Sequence, residues 1–229
     1  MFSQEKIDAA MKILAEEVPF AIFETLYVTL LSTLFAILIG LPLGVLLVIG
    51  EKNGILPLPK WLLSVLNVII NLLRSVPFLI LMILVIPLTR AIVGTSVGTL
   101  ASTVPLTIAA FPFVARLVES SLREVDPNII EAAESMGASP FQIISKVIIP
   151  ESVPSLISNL TIAITTILGY SAMSGALGAG GLGKIAINYG YYRYQTLIMF
   201  ISVAILILMV QGLQMLGTYL SAKLDKRTR

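Results

Sequence analysis

From Pro19 to Gly50 the chain is almost wholly apolar, and its one charged residue, Glu24, sits near the start of the run. Crossing a hydrocarbon core about 30 Å thick takes about 20 mostly apolar residues, so this run is long enough to span a bilayer. Four more apolar runs follow, from Trp61 to Leu88, Leu100 to Ala115, Val153 to Leu177 and Thr196 to Leu220. In 229 residues, 57% are hydrophobic and 12% charged, whereas a soluble chain averages about 25% charged. No single core of that size hides so much apolar surface from water, so lipid is the expected solvent. The predicted class is an all-α integral membrane protein. It has five transmembrane helices (19–50, 61–88, 100–115, 153–177, 196–220) and a helical loop at 116–152, in a single domain over 1–229. The tail before the first run carries both signs of charge (Glu5, Lys6, Asp8, Lys12, Glu16, Glu17), unlike the basic start of a cleaved signal peptide.

Residue types narrow the chemistry. With no cysteine there is neither disulfide scaffold nor thiolate metal site, and with no histidine the commonest general base is missing. The net charge of +2 gives no reason to expect a nucleic-acid partner. No metal site and no catalytic residue is expected in this chain.

Five spans put the termini on opposite sides of the membrane, and basic loop residues set which is inside. If the N-terminus is outside, the inner side receives Lys52, Lys60, Arg116, Arg123, Lys146, Lys223, Lys226, Arg227 and Arg229. The outer side then receives Lys6, Lys12, Arg90, Lys184 and Arg193. Nine against five favours an outer N-terminus and a cytoplasmic C-terminus.

The inner loop reads as two short helices. Asp126-Pro127 is a start signal, with an Asp oxygen for the orphan amides and proline at the first helical position. Gly137 suits the position that closes such a helix, Ser139-Pro140 repeats the start, and Pro150 is expected to stop the second helix after Ile149. Ile129, Ile130, Ala133 and Met136 fall at spacings that share one face, with Glu131 and Glu134 elsewhere, and Ala132, Ala133, Gly137 and Ala138 leave room for close approach. Physics alone leaves two readings: an interfacial helix on the bilayer, or a docking helix for a cytoplasmic protein.

The series Glu131-Ala132-Ala133, three residues, Gly137, nine residues, Val147-Ile148-Ile149-Pro150 resembles the EAA loop of ABC importer permeases. That pattern ends isoleucine, any residue, leucine, proline, so Val147 and Ile149 are mild departures. The likeness runs from about Glu24 to Lys223. It is nearest the bacterial methionine-type permeases through Arg74-Ser75-Val76-Pro77-Phe78, Pro105 to Ala110, Gly169 to Gly175, and Asn188 to Tyr191 followed by Arg193-Tyr194. The resemblance implies a type I permease fold in the bacterial inner membrane and a homodimer. It also implies an extracytoplasmic substrate-binding protein and two cytoplasmic ATPase subunits that carry ATP and Mg, the chain itself holding no cofactor. Glu131, Ala132, Ala133, Gly137, Ser139 and Pro140 would then form the ATPase-coupling surface. The implied function is uptake of L- or D-methionine, with another small amino acid or solute as the alternative.

Other residues keep two readings. Arg74 lies within an apolar run and is costly at mid-membrane, so it either snorkels to the inner surface or lines the pathway and meets a substrate carboxylate. Pro77 is placed to break the helix beside it. Met173, among Tyr170, Ser171 and Ser174, is either packing or a gate that meets its mate in a dimer, with the two serines offering hydroxyls. Gly178-Ala179-Gly180-Gly181-Leu182-Gly183 superficially matches a dinucleotide fingerprint, but it follows a membrane helix rather than a strand, and no P-loop occurs. An outer turn that meets a delivery protein suits it better. An ion-coupled secondary transporter would want paired ionisable residues inside the spans, and a membrane enzyme would want an acid pair; neither is found.

Overall fold

The computed structural model describes residues 11–52 and 54–225. Glu5, Lys6 and Asp8 of the first tail, and Lys226, Arg227 and Arg229 of the last, lie outside the described residues. Every regular element among the described residues is helical. In order they are α1 (Val18–Ile49), α2 (Lys60–Ser75), α3 (Phe78–Leu84), α4 (Ile86–Val93), α5 (Thr99–Arg123), α6 (Pro127–Ser135) and α7 (Pro140–Ile143). After a π turn (Ile144–Ile148) come α8 (Ile149–Ser174), a 3-10 turn (Gly175–Leu177), α9 (Gly181–Ile185), a second π turn (Ala186–Tyr192) and α10 (Thr196–Leu224).

Among the described residues, four stretches are long and apolar enough to cross a membrane: α1, α5, Pro140–Leu177 and α10. All-round apolarity is what lipid demands of α1 and α10, because a helix satisfies its own backbone and presents only side chains to the hydrocarbon. The second expected span is not one helix. The chain breaks between α2 and α3 at Val76 and Pro77, then again before α4. Pro77 is the N-cap residue of α3, where its missing N–H costs nothing. With the second apolar window interrupted, the described residues hold four candidate spans, or five if the bent pair α2 and α3 forms one.

Pro150 does not end a helix, contrary to expectation. It sits at the second position of α8, which continues past Pro154 to Ser174. The π turn before it explains this: the Ile149 N–H donates to the Ile144 carbonyl, one residue farther back than in an α-helix. That wider turn moves the carbonyls away from the pyrrolidine ring, which removes the clash that makes interior proline a breaker.

The described chain divides into two compact units. The first comprises residues up to Leu34, Val76–Ala109 and Ile164–Leu213; the second comprises Phe35–Ser75, Ala110–Ala163 and the remainder from Gln214. In the first unit, Val18 and Ala21 pack on Leu182, Ile185 and Ile198, while Val28, Phe78, Met82 and Leu106 form a second cluster. In the second unit, Leu47, Ile70 and Ala115 form the buried centre.

Candidate functional site

Both helix starts read from the loop are present with their caps. The Asp126 carboxylate accepts from the Asn128 N–H at 2.9 Å. Ser139 and Gln142 form a reciprocal capping box: the Ser139 hydroxyl accepts from the Gln142 N–H at 3.4 Å, and the Gln142 side chain accepts from the Ser139 N–H at 2.8 Å. Between them α6 closes with two crossed bonds, Gly137 N–H to the Glu134 carbonyl at 2.9 Å and Ala138 N–H to the Ala133 carbonyl at 3.1 Å. This closure requires the left-handed region at Gly137, whose φ is 78°. Ala133 is buried, and Glu131, Ala132, Gly137, Ser139 and Pro140 are exposed.

The apolar face expected of α6 is incomplete. Ile130 is half-buried and Ala133 buried, but Ile129 is 41% exposed and Met136 is 82% exposed. Helical periodicity stops at Ser135, so Met136 as the C-cap residue leaves the face that spacing assigned to it. Phe141, at the start of α7, is 76% exposed. The loop thus offers two large apolar side chains, two acids (Glu131 and Glu134) and a glycine elbow on one short segment.

Beneath this loop lies a polar network that sequence reasoning missed, having counted its arginines only as markers of the inner side. Arg116 donates to Asn67 at 2.6 Å and Asn71 at 3.0 Å, and pairs with Glu119 at 2.6 Å. Arg123 bridges Glu119 at 2.8 Å and Glu51 at 2.7 Å. The hydrogen bond from Arg123 holds the Glu51 carboxyl below its ordinary pKa, against the opposing effect of partial burial. Glu51, Arg123, Ile130, Glu131, Glu134 and Ile148 line a cavity of about 490 Å³, which sets the network against α6. The one advance signal was the i, i+3 and i, i+4 spacing of Glu119 to Arg116 and Arg123.

The pathway candidates stand on α2, at the start of α3 and on α8. Arg74 is exposed in the last turn of α2, where a cation suits the helix dipole. Tyr170 stacks on Phe78, with ring centroids 4.6 Å apart and planes 4° apart. The buried hydroxyls of Ser171 and Ser174 donate to the carbonyls of Leu168 and Ser171, at 2.7 and 2.6 Å. Their protons are therefore committed to their own helix. Met173 is half-exposed on α8.

Residues 40–229 match the family of binding-protein-dependent transport system inner membrane components. The chain belongs to this family. It is thus a transport permease subunit and a multi-pass inner-membrane protein. A probable D-methionine transport system permease protein of Vibrio cholerae is 48% identical over 208 residues, covering 90% of this chain and 92% of that protein. The D-methionine transport system permease protein of Escherichia coli K12 is 47% identical over 154 residues, 67% of this chain and 70% of that one. A chain of the MetNI methionine ABC transporter, solved in an inward-facing conformation, superposes with a TM-score of 0.90 at 41% identity, covering 98% of this permease and 100% of that chain. The type I ABC permease fold follows. An amino acid ABC transporter at 20% identity, with a TM-score of 0.77, shares the fold.

In this permease the glycine-rich turn is a packing device. A side chain at Gly183 would run into the backbone of Ala172, and one at Gly175 into the backbone of Gly183. The start of α9 is capped from α1: Gly181 N–H donates to Glu24 at 2.8 Å and Leu182 N–H to the Thr25 hydroxyl at 2.9 Å. Glu24, read from sequence only as an edge charge, also accepts from the Thr99 hydroxyl. A carboxylate at a helix N-terminus meets the positive end of the dipole and, here, one orphan amide, which is reason enough for a lone acid in an apolar run.

Proposed function

We propose that the chain is the permease of an ATP-driven importer that carries methionine into the cytoplasm, with five spans in one domain, the N-terminus outside and the C-terminus inside. Five spans are few to enclose a path, so two copies pair, with Met173 of each copy near the gate and Arg74 and Pro77 at the pathway. The chain does no chemistry of its own. Two ATPase subunits bind ATP and Mg at the inner face, and a binding protein delivers from outside. The solute follows from the near-half identity to permeases named for D-methionine, extending over nine-tenths of the chain for the Vibrio cholerae protein.

The observation that carries the coupling reading is the doubly capped α6–α7 segment, with Met136 and Phe141 exposed beside an unobstructed Gly137. A loop held that firmly, with large apolar side chains turned outward, fits a partner's cleft. Gly137 has nothing within 4 Å of where its Cβ would stand, so a side chain there disturbs only the backbone dihedral and whatever docks.

Gly137→Val tests this. Left-handed strain costs about 1 kcal/mol or more, which the fold absorbs. The variant should enter the membrane normally, yet lose the ATPase in pull-down from detergent and lose uptake of labelled methionine. Full retention of both would remove the coupling assignment and leave the loop an interfacial anchor.

A further inference from the structure

The start of α1 and the segment from α9 to Arg193 enclose a cavity of about 420 Å³, apart from the coupling loop and the pathway candidates. Its lining carries both signs of charge: Glu16, Glu17 and Glu24 on one side, Lys184 and Arg193 on the other, with Phe20 as an apolar edge. Two of the acids are fixed in place. Glu17 accepts from the Tyr189 hydroxyl at 2.6 Å, and Glu24, already satisfied by Gly181 and Thr99, forms the floor. The Arg193 guanidinium lies over the Tyr189 ring, 4.6 Å from its centroid. Neither Arg193 nor Lys184 makes an ion pair with a described residue.

The cavity lies where two candidate spans begin, at Val18 and Thr196. Phe20, Tyr191, Tyr192 and Tyr194 are all largely exposed around it. Exposed aromatics at the ends of membrane helices mark the level of the lipid head groups. We infer that this cavity binds the head group of a phospholipid that carries a primary ammonium beside its phosphate. The phosphate accepts from Lys184 and Arg193, the ammonium donates to Glu16 and Glu17, and an acyl chain follows Phe20.

The chemistry selects among head groups. All phospholipids bring a phosphate, which an arginine fork and a lysine bind well. A primary ammonium has three N–H donors for the carboxylates. A choline head group has none, and a glycerol head group brings no cation to the acidic wall. Free amino acids pair an ammonium with an anion in the same way, but the exposed aromatic rim favours a ligand anchored in the bilayer. The site needs only that α1 and α10 span the membrane, and it does not depend on which solute is carried.

The test is native mass spectrometry of the detergent-purified full chain with its co-purifying subunits. It is titrated with phosphatidylethanolamine, phosphatidylcholine and phosphatidylglycerol of matched acyl chains. The ethanolamine lipid should bind at about tenfold lower concentration than the other two, a difference of about 1.4 kcal/mol. Glu16→Gln with Glu17→Gln should erase that preference, Glu17→Asp should keep it, and Lys184→Gln with Arg193→Gln should weaken all three lipids alike. Each variant is first checked for native elution, and Lys184→Gln alone serves if a double variant fails to fold. Equal binding of the three lipids by the native chain, or a preference that survives loss of both carboxylates, overturns the inference. So does displacement of the lipid by millimolar free methionine, which would move the ligand's source from bilayer to solution. Methionine uptake and ATPase pull-down report separately on the transport reading.

Discussion

Both the α6–α7 loop and the turn into α9 rest on glycine, and the two glycines do opposite things. Gly137 has φ of 78° and open space where a side chain would go. Gly183 lies within a regular helix, and its missing side chain is the space that the Ala172 backbone fills. The first is needed for its dihedral angle, the second for its lack of volume. A dihedral requirement leaves a surface free to meet a partner, whereas a steric requirement marks the inside of the fold. Substitution should therefore damage docking at one and folding at the other.

The strongest way to break that contrast is Gly183→Val. Backbone cannot yield as a flexible side chain can, so overpacking should cost about 3 kcal/mol or more. Little monodisperse protein should survive detergent extraction, and what survives should unfold at markedly lower temperature. Gly137→Ala, which carries only the dihedral cost of about 1 kcal/mol, should extract and melt close to the native chain. Comparable melting temperatures for the two variants would mean that the glycines are not different in kind.

Next in size is Glu24→Ala. It strips the acceptor from the Gly181 N–H and the Thr99 hydroxyl, and bonds to a charged acceptor are worth about 1.5–3 kcal/mol. Loss of thermal stability of about 2 kcal/mol is expected, with Glu24→Gln recovering part of it by keeping one carbonyl oxygen. If Glu24→Ala melts like the native chain, the start of α9 is held by Thr25 and packing alone.

The same comparison explains what was legible in the sequence. The loop signals were local: Asp126 to Asn128, Ser139 to Gln142 and the closure at Gly137 each act within a few residues, and all three stand as read. Met136 and Pro150 departed from expectation because a cap ended the periodicity of α6 and a π turn made room for a proline ring. The turn into α9 was opaque because its partners are remote. Glu24 and Gly181 lie 157 positions apart, and Arg116 and Asn67 lie 49 apart. No periodicity links such pairs, so a lone acid looked like an edge charge and an arginine like a topology marker.

Arg116→Ala addresses the buried half of the polar network under the loop. Asn67, Asn71 and Glu119 would lose a shared donor in a part-buried site, for an expected loss of about 2 kcal/mol. Because the network borders the cavity beside α6, ATPase pull-down should weaken along with the melting temperature. A stability loss with undiminished pull-down would confine Arg116 to folding.

The smallest expected effect is at the exposed end of that network, where Arg123 meets Glu51. The Glu51 side chain is 52% exposed, so solvent and salt screen the pair and its worth stays under about 1 kcal/mol. The sign of its pH dependence is fixed. The Glu51 carboxyl, held by the hydrogen bond from Arg123 below its ordinary value of 4.5, contributes stability above that value and loses it as pH falls through the lower folded pKa. Glu51→Gln should therefore melt slightly below the native chain at neutral pH, and the gap should close on acidification and again at molar salt. A gap unchanged by both would locate the effect in packing against the cavity wall rather than in charge, and would leave Arg116 as the electrostatic centre of the network.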